Sequence, residues 1–172
     1  MFERSIYLII ALALVLVLVP IIGKLAKRIG LTDKPDADQG GRKDHEGEIP
    51  LIGGLVIFPV FIGVCIFAGF GVDEYWPFYS ALALLLLVGA LDDKVYLHFW
   101  IKFGLQFVAA ALVVMPGGAQ LYDLGNLFGL GVFDLGIISL IFSIVSVVLL
   151  INAINLMDGL DGLAGGTTLI IL

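Results

Sequence analysis

The sequence contains few of the residues that would suit it to water. Charged residues make up 14% of its 172 residues, hydrophobic residues make up 60%, and the mean hydropathy is +1.12. A soluble domain of this size carries more charge and fewer apolar residues, so this composition predicts a membrane protein. The single cysteine, Cys65, excludes an intrachain disulfide. We interpret it as a small buried apolar residue.

Two kinds of chemical motif are also missing. The chain has no Gly-Lys-Ser or Gly-Lys-Thr phosphate-binding loop, so nothing supports an ATPase. It has no Cys and His spacing typical of a zinc site. Any metal chemistry must therefore depend on oxygen ligands.

Five uncharged stretches approach or exceed the roughly 20 apolar residues that a transmembrane helix needs. They are residues 5–23, 51–72, 75–91, 103–122 and 135–157. A sixth apolar run begins at Gly162 and continues to Leu172. We therefore predict an all-α polytopic membrane protein, with about five transmembrane helices and the start of a sixth. Residues 1–172 would form a single membrane domain.

The basic residues predict the orientation of these helices. Of the nine Lys and Arg residues, six lie between Gly23 and Leu51, and Lys94 and Lys102 follow the third stretch. The connections after Val72 and Tyr122 contain none. By the positive-inside rule, the N-terminus is outside and the basic connections are cytoplasmic. Residues 152–166 then also face the cytoplasm.

Three connections have recognisable composition. Residues 32–36 predict a turn, and residues 40–47 predict a polar loop, either simply solvated or a basic flap over an anionic substrate. Residues 115–136, between the fourth and fifth helices, are rich in glycine. They predict a short outer β-hairpin or an interfacial loop.

Adjacent carboxylates stand at the cytoplasmic end of the third helix. Asp92 and Asp93 would point about 100° apart on a helix. A carboxylate at a helix C-terminus is disfavoured by roughly 0.3 to 1 kcal/mol. Asp93 can be explained as the N-cap of the fourth helix, whereas Asp92 has no such explanation. Two solvated interface residues are the structural alternative, and ligands of a divalent cation the functional one.

A second acidic group follows the fifth helix. Asn155, Asp158 and Asp161 are three residues apart and would be neighbours on one helical face. Asn152 would turn away from Asp161, which itself could cap a sixth helix beginning near Gly162. Ionisable groups at the ends of apolar helices are candidates for a site. Two such groups and a basic loop on one face predict a phosphate-bearing substrate held with Mg²⁺, or alternatively Mn²⁺.

Three segments resemble the polyprenyl-phosphate N-acetylhexosamine-1-phosphate transferases of glycosyltransferase family 4. They are Lys43-Asp-His45-Glu-Gly47 with Ile49-Pro-Leu-Ile-Gly53-Gly54, then Gly89-Ala-Leu-Asp92-Asp93, then Asn152-Ala-Ile-Asn155-Leu-Met-Asp158-Gly-Leu-Asp161-Gly-Leu163. The peptidoglycan branch, which transfers phospho-N-acetylmuramoyl-pentapeptide, typically reads Thr-Pro-Thr-Met-Gly-Gly at the first segment. The present residues favour the N-acetylglucosamine branch.

The resemblance implies transfer of N-acetylglucosamine 1-phosphate from UDP-N-acetylglucosamine to undecaprenyl phosphate, with release of UMP. The reaction would start cell-envelope polysaccharide synthesis, at the cytoplasmic face of the bacterial inner membrane. Mg²⁺ would bridge the diphosphate. The implied catalytic residues and metal ligands are Asp92, Asp93 and Asp158. The implied substrate-binding residues are Lys43, His45, Asn155 and Asp161.

The implied partners are a UDP-sugar, a polyprenyl phosphate and the membrane, with a homodimer as an open alternative and no nucleic acid. The family has a further Asp motif and a His-containing loop beyond this part, so we expect the N-terminal part of a longer transferase, inactive alone. The alternatives are the peptidoglycan transferase, an inactive membrane fragment and a cation carrier. A carrier would place its acidic groups near the bilayer midplane.

Overall fold

The computed structural model of the protein describes residues 2–33, 49–50, 52–127, 129, 131–157 and 163–171. Most of them are helical. The helices are α1 (Phe2–Ile29), α2 (Gly53–Phe67), α3 (Val72–Val95), α4 (Phe99–Val114), α5 (Ser139–Met157) and α6 (Leu163–Ile171), with a 3₁₀ turn at Gly136–Ile138. The chain divides into two compact units, one ending at His98 and the other beginning at Phe99.

Two helical segments in the described part of the chain are long and apolar enough to cross a membrane. They are Ser5–Ile29, with 25 residues, and Gly136–Met157, with 22 residues. The apolar helices α2 and α4 are shorter, with 15 and 16 residues. The predicted class, a mostly helical membrane protein, is thus supported. The number of crossings and their orientation stay predictions.

In the first unit, α1 and α2 pack side by side in opposite directions. The rings of Tyr7 and Phe67 meet edge to face, with centroids 6.1 Å apart, near the start of α1 and the end of α2. Near the other end, a Cβ on Gly23 would lie 3.5 Å from Ile52 Cδ1. α1 continues through Pro20 to Ile29, beyond the predicted stretch.

The connection between α1 and α2 begins and ends in paired backbone. Strand β1 (Thr32–Asp33) pairs antiparallel with strand β2 (Ile49–Pro50), with Thr32 opposite Pro50. The predicted turn at residues 32–36 is therefore wrong at its first two residues, which are extended. Its other residues, and the predicted polar loop at 40–47, lie outside the described residues.

Helices α2 and α3 approach each other closely at a glycine. A Cβ on Gly54 would lie only 2.8 Å from Leu86 Cδ1, so a larger residue there would require the Leu86 side chain to move. Farther along, Phe61 and Phe78 meet edge to face at 6.2 Å. Tyr79 then donates a hydrogen bond to the carbonyl of Phe70 at 2.9 Å, which ties α3 to the connection that precedes it.

In the second unit, the connection between α4 and α5 contains the predicted hairpin. Asp123 and Asp134 form an antiparallel bridge. Leu124 N–H donates to the carbonyl of Phe133 at 2.9 Å, and Phe133 N–H donates to that of Gly125 at 3.0 Å. The β-hairpin is therefore confirmed over the interfacial loop, and its placement on the outer side stays a prediction.

Two buried serines fasten the hairpin to α5. Ser143 Oγ accepts a hydrogen bond from Leu121 N–H at 2.8 Å and donates one to the carbonyl of Ser139 at 2.7 Å. Ser139 Oγ donates to the carbonyl of Leu121 and accepts from Gln120 Nε2 at 2.8 Å. These two hydroxyls therefore mainly satisfy backbone groups where the chain enters the hairpin and where α5 begins.

We expect Ser143→Ala to lower the free energy of unfolding by about 1 to 2 kcal/mol, because it removes the acceptor of Leu121 N–H and the buried hydrogen bond from Ser143 Oγ to the carbonyl of Ser139. Thermal unfolding in detergent would measure the loss. Ser146→Ala, one turn farther along α5, is the matched control and should change the melting temperature less. Equal melting temperatures for Ser143→Ala and the unaltered protein would contradict this role.

Candidate active site

The adjacent aspartates lie inside the last turn of α3. That helix continues to Val95, and α4 does not begin until Phe99. Asp93 is therefore not the N-cap of α4, and that prediction is wrong. Tyr96 ends α3 in the left-handed conformation, with φ of 50°, and donates its N–H to the carbonyl of Asp92 at 2.9 Å.

The structural role belongs to Asp92 instead. Its carboxylate Oδ1 accepts a hydrogen bond at 3.0 Å from the N–H of Leu97, in the connection that follows α3. A charged acceptor makes a stronger hydrogen bond than a neutral one. Asp92 thus helps to stabilise the connection that follows α3. The sequence had offered no structural role for this carboxylate.

Asp93 lines a cavity between the end of α3 and the start of α2. The cavity has a volume of about 290 Å³. Its lining is Gly53, Gly54 and Leu55 from α2, with Leu85, Leu86, Gly89, Ala90 and Asp93 from α3. Asp93 carries the only ionisable side chain of this lining, and three of the other residues are glycines. The small walls leave room for a ligand beside the carboxylate.

The start of α2 gives this cavity an electropositive end. The first N–H groups of a helix have no intrahelical acceptor, and the helix dipole is positive there. Ile52 holds the N-cap position, and its side chain makes no capping hydrogen bond. Helix N-termini of this kind favour phosphate. Gly53 and Gly54 lie in this cavity, a position that their place in the sequence motif did not indicate.

Apolar cavities continue from this site along α2 and α3. One of about 390 Å³ shares Gly54 and Leu86 with the Asp93 cavity. The next, of about 230 Å³, shares Phe61 and Phe78 with the second and reaches Tyr75. We call this series the α2–α3 groove. From Tyr75 to Asp93 the helix rises about 27 Å at 1.5 Å per residue, close to the roughly 30 Å thickness of the hydrocarbon core.

The second polar group lies at the end of α5. Asn155 is exposed in the last turn of the helix. Asn152 is half-buried, and its Nδ2 donates to Gln106 Oε1 on α4 at 2.7 Å. Sequence reasoning missed Gln106; the available signal was a carboxamide alone in the apolar part of a helix.

The remaining predicted site residues are not among those that the structure describes. They are Lys43, His45, Asp158 and Asp161. Within the described ranges there is no group of three or more His, Cys, Asp or Glu side chains arranged to hold a metal. The predicted ligand set of Asp92, Asp93 and Asp158 therefore stays a prediction. Asp92 and Asp93 belong to the first compact unit, and Asn155 belongs to the second.

These features define a helical, membrane-type protein with a carboxylate at the end of an apolar groove. Residues 75–172, more than half of the chain, match the family described as Glycosyl transferase family 4. The chain belongs to this family, as its sequence motifs indicated.

Several bacterial relatives are each named undecaprenyl-phosphate alpha-N-acetylglucosaminyl 1-phosphate transferase. The protein of Escherichia coli (strain K12) is 36% identical over 110 residues, covering 62% of this chain and 28% of the relative. That of Yersinia pestis is 37% identical over 110 residues, with the same coverage. That of Pasteurella multocida (strain Pm70) is 33% identical over 122 residues, covering 69% and 32%. The matches span less than a third of each relative. No solved structure matches the chain.

The contribution of the Asp92 hydrogen bond can be measured through protein stability. We expect Asp92→Ala to lower the free energy of unfolding by about 1 to 2 kcal/mol, because Leu97 N–H loses a charged acceptor. Asp92→Asn, which keeps a side-chain oxygen as acceptor but removes its charge, is the control and should lower it less. Chemical unfolding in detergent would compare the two variants, and equal losses would contradict this role.

Proposed function

We propose that this protein transfers N-acetylglucosamine 1-phosphate from UDP-N-acetylglucosamine to undecaprenyl phosphate, with release of UMP. The observation that carries the proposal is the cavity in which Asp93 lies opposite the N-terminal turn of α2. Family membership and the printed names of the relatives support the same reaction. The proposed location is the cytoplasmic face of the bacterial inner membrane.

The charges of the cavity fit a phosphate that is held with a cation. The amide groups at the start of α2 attract phosphate oxygens, whereas a carboxylate such as Asp93 repels them unless a cation lies between. Mg²⁺ commonly uses one or two carboxylates together with substrate phosphates, so this donor set fits it, and Mn²⁺ is the alternative. When bound, the metal supplies Lewis-acid stabilisation of the charge that develops on the diphosphate.

In the proposed reaction, an oxygen of the acceptor phosphate attacks the β-phosphorus of the UDP-sugar. A bond forms between them, and the bond from that phosphorus to the oxygen bridging to the α-phosphate breaks, so that UMP leaves. A phosphate monoester has a second pKa near 6 and is already mostly dianionic at neutral pH. The protein therefore mainly binds and orients the two phosphates, which suits a site built from amides and carboxylates.

The apolar extension of the cavity supports a lipid-linked acceptor. In the α2–α3 groove the second cavity is lined by Gly54 and by isoleucine, leucine and phenylalanine side chains, and the third is lined mostly by aromatic rings. A prenyl chain could lie there with its phosphate at the Asp93 end. The groove is about as long as the hydrocarbon core is thick.

The other predicted residues take complementary parts in the proposal. Asn155, Asp158 and Asp161 would bind the nucleotide diphosphate, Asp158 with the metal. Lys43 and His45 would lie near the phosphates. Asp92 would stabilise the connection after α3, beside Asp93, and contribute to the metal site.

The first test replaces the cavity carboxylate in the full-length protein. Asp93→Asn keeps the size of the side chain but removes its charge, and we expect transfer to fall by about 100-fold or more. Incorporation of labelled N-acetylglucosamine phosphate into extractable lipid would be measured together with UMP release. Asp73→Asn, at the opposite end of α3 and exposed, is the control. Near-normal transfer by Asp93→Asn would refute the assignment.

The second test narrows the groove without changing the Asp93 cavity. Leu82 lines the second cavity only, and we expect Leu82→Trp to obstruct a long prenyl chain there. The KM for undecaprenyl phosphate should rise about tenfold, equivalent to about 1.4 kcal/mol, while that for the short analogue geranyl phosphate should change little. Leu87→Trp, at an exposed position on the same helix, is the control. Equal effects of both variants would show that the chain lies elsewhere.

A further inference from the structure

One carboxamide pair joins α4 to α5. Asn152 Nδ2 donates a hydrogen bond to Gln106 Oε1 at 2.7 Å and another to the carbonyl of Val148 at 2.8 Å. The two residues are 46 positions apart in the chain. Because a carboxamide nitrogen carries two hydrogens, both donors of Asn152 are engaged within the protein in this arrangement.

This pair is an unusual choice for simple packing. Gln106 is the only polar residue between Phe103 and Val114, and Asn152 is the only one between Val147 and Ile154. Burying a polar group costs free energy unless it is hydrogen-bonded. Two leucines would pack the same helices without that requirement. The carboxamide pair adds a directional constraint, because a hydrogen bond fixes the register and rotation of two helices more narrowly than apolar contact does.

The other buried contacts between α4 and α5 constrain the two helices less. The buried residues along them are small, among them Ala109, Ala110 and Val148. Near the hairpin, Ser139 and Ser143 fasten the first turns of α5 to the backbone of Leu121. The carboxamide pair fastens the other end of α5.

The C-terminal end of α5, which the carboxamide pair holds, carries the candidate site residue Asn155. Asn155 follows Asn152 by three positions, so the two side chains lie on neighbouring positions of the helical surface. A rotation of α5 that releases Asn152 from Gln106 would therefore turn Asn155 by the same angle.

We propose that Gln106 is a positioning residue for the sugar-nucleotide site. It holds Asn152, and through it the last turn of α5, so that Asn155 meets the diphosphate of the nucleotide in a fixed direction. The inference rests on the proposed function. Neither Gln106 nor Asn152 touches the substrate in this role.

The test exchanges the two carboxamides in the full-length protein. Gln106→Asn shortens one arm of the bridge by one methylene group, and Asn152→Gln lengthens the other. We expect each single variant to raise the KM for UDP-N-acetylglucosamine about tenfold. Replacing a residue that orients a binding group commonly weakens binding about 10- to 100-fold, and this is the lower end of that range. The KM for undecaprenyl phosphate should stay unchanged. The double variant restores the combined length and should recover most of the loss.

A pair of leucines separates positioning from stability. The double variant Gln106→Leu with Asn152→Leu leaves no buried polar group unpaired, so its melting temperature should equal or exceed that of the unaltered protein. Its KM for the sugar nucleotide should nevertheless rise about as much as in the single exchanges. Gln120→Leu is the matched control. It removes the hydrogen bond to Ser139 and should lower the melting temperature without changing that KM.

The outcomes test the proposed function and the positioning role of Gln106 separately. If the unaltered full-length protein transfers no sugar phosphate, the proposed function fails. If it does transfer, but the stable double-leucine variant keeps a normal KM for the sugar nucleotide, the positioning role of Gln106 is overturned. A second result would also overturn the role. If the exchanged double variant is as impaired as Asn152→Gln alone, and both have a lowered kcat, Asn152 acts directly on the substrate.

Discussion

The structure depends on one constraint, which is that polar groups placed on apolar helices must find partners within the protein. Water is not available in hydrocarbon, and an unsatisfied backbone or side-chain group there costs several kcal/mol. Ser143 accepts the N–H of Leu121, Tyr79 donates to the carbonyl of Phe70, and Asn152 donates to Gln106. Each of these bonds joins segments that apolar contact alone would leave free to slide or turn.

The same constraint separates the two aspartates of α3. Asp92 and Asp93 are adjacent and chemically identical, but the helix points them in different directions. Asp92 turns toward the connection that follows α3 and accepts the N–H of Leu97. Asp93 turns toward the glycines at the start of α2 and lines a cavity there. One carboxylate therefore stabilises the connection after α3, and its neighbour borders the cavity.

The sequence predicted the features that composition and periodicity determine. Apolar stretches indicated the helices, and the glycine content of residues 115–136 indicated either an interfacial loop or the hairpin that Asp123 and Asp134 bridge. The structural role was predicted for Asp93 instead of Asp92, because it depends on where α3 ends. That end is set by the left-handed Tyr96, a conformation that no residue type at this position indicates. The pairing of Gln106 with Asn152 was equally hidden, because it depends on how α4 and α5 align.

The antiparallel arrangement of α2 and α3 explains why the cavity has two electrostatic ends. The start of one helix lies beside the end of the other, so the positive end of the α2 dipole and the negative end of the α3 dipole border the same space. Asp93 increases the negative charge at its end, and Gly53 and Gly54 leave the backbone of α2 uncovered at the other. A lone anion would suit only one side of this cavity, and a lone cation only the other. A phosphate together with a divalent cation suits both sides, which is the combination that the proposed transfer from a nucleotide diphosphate to a lipid phosphate would use.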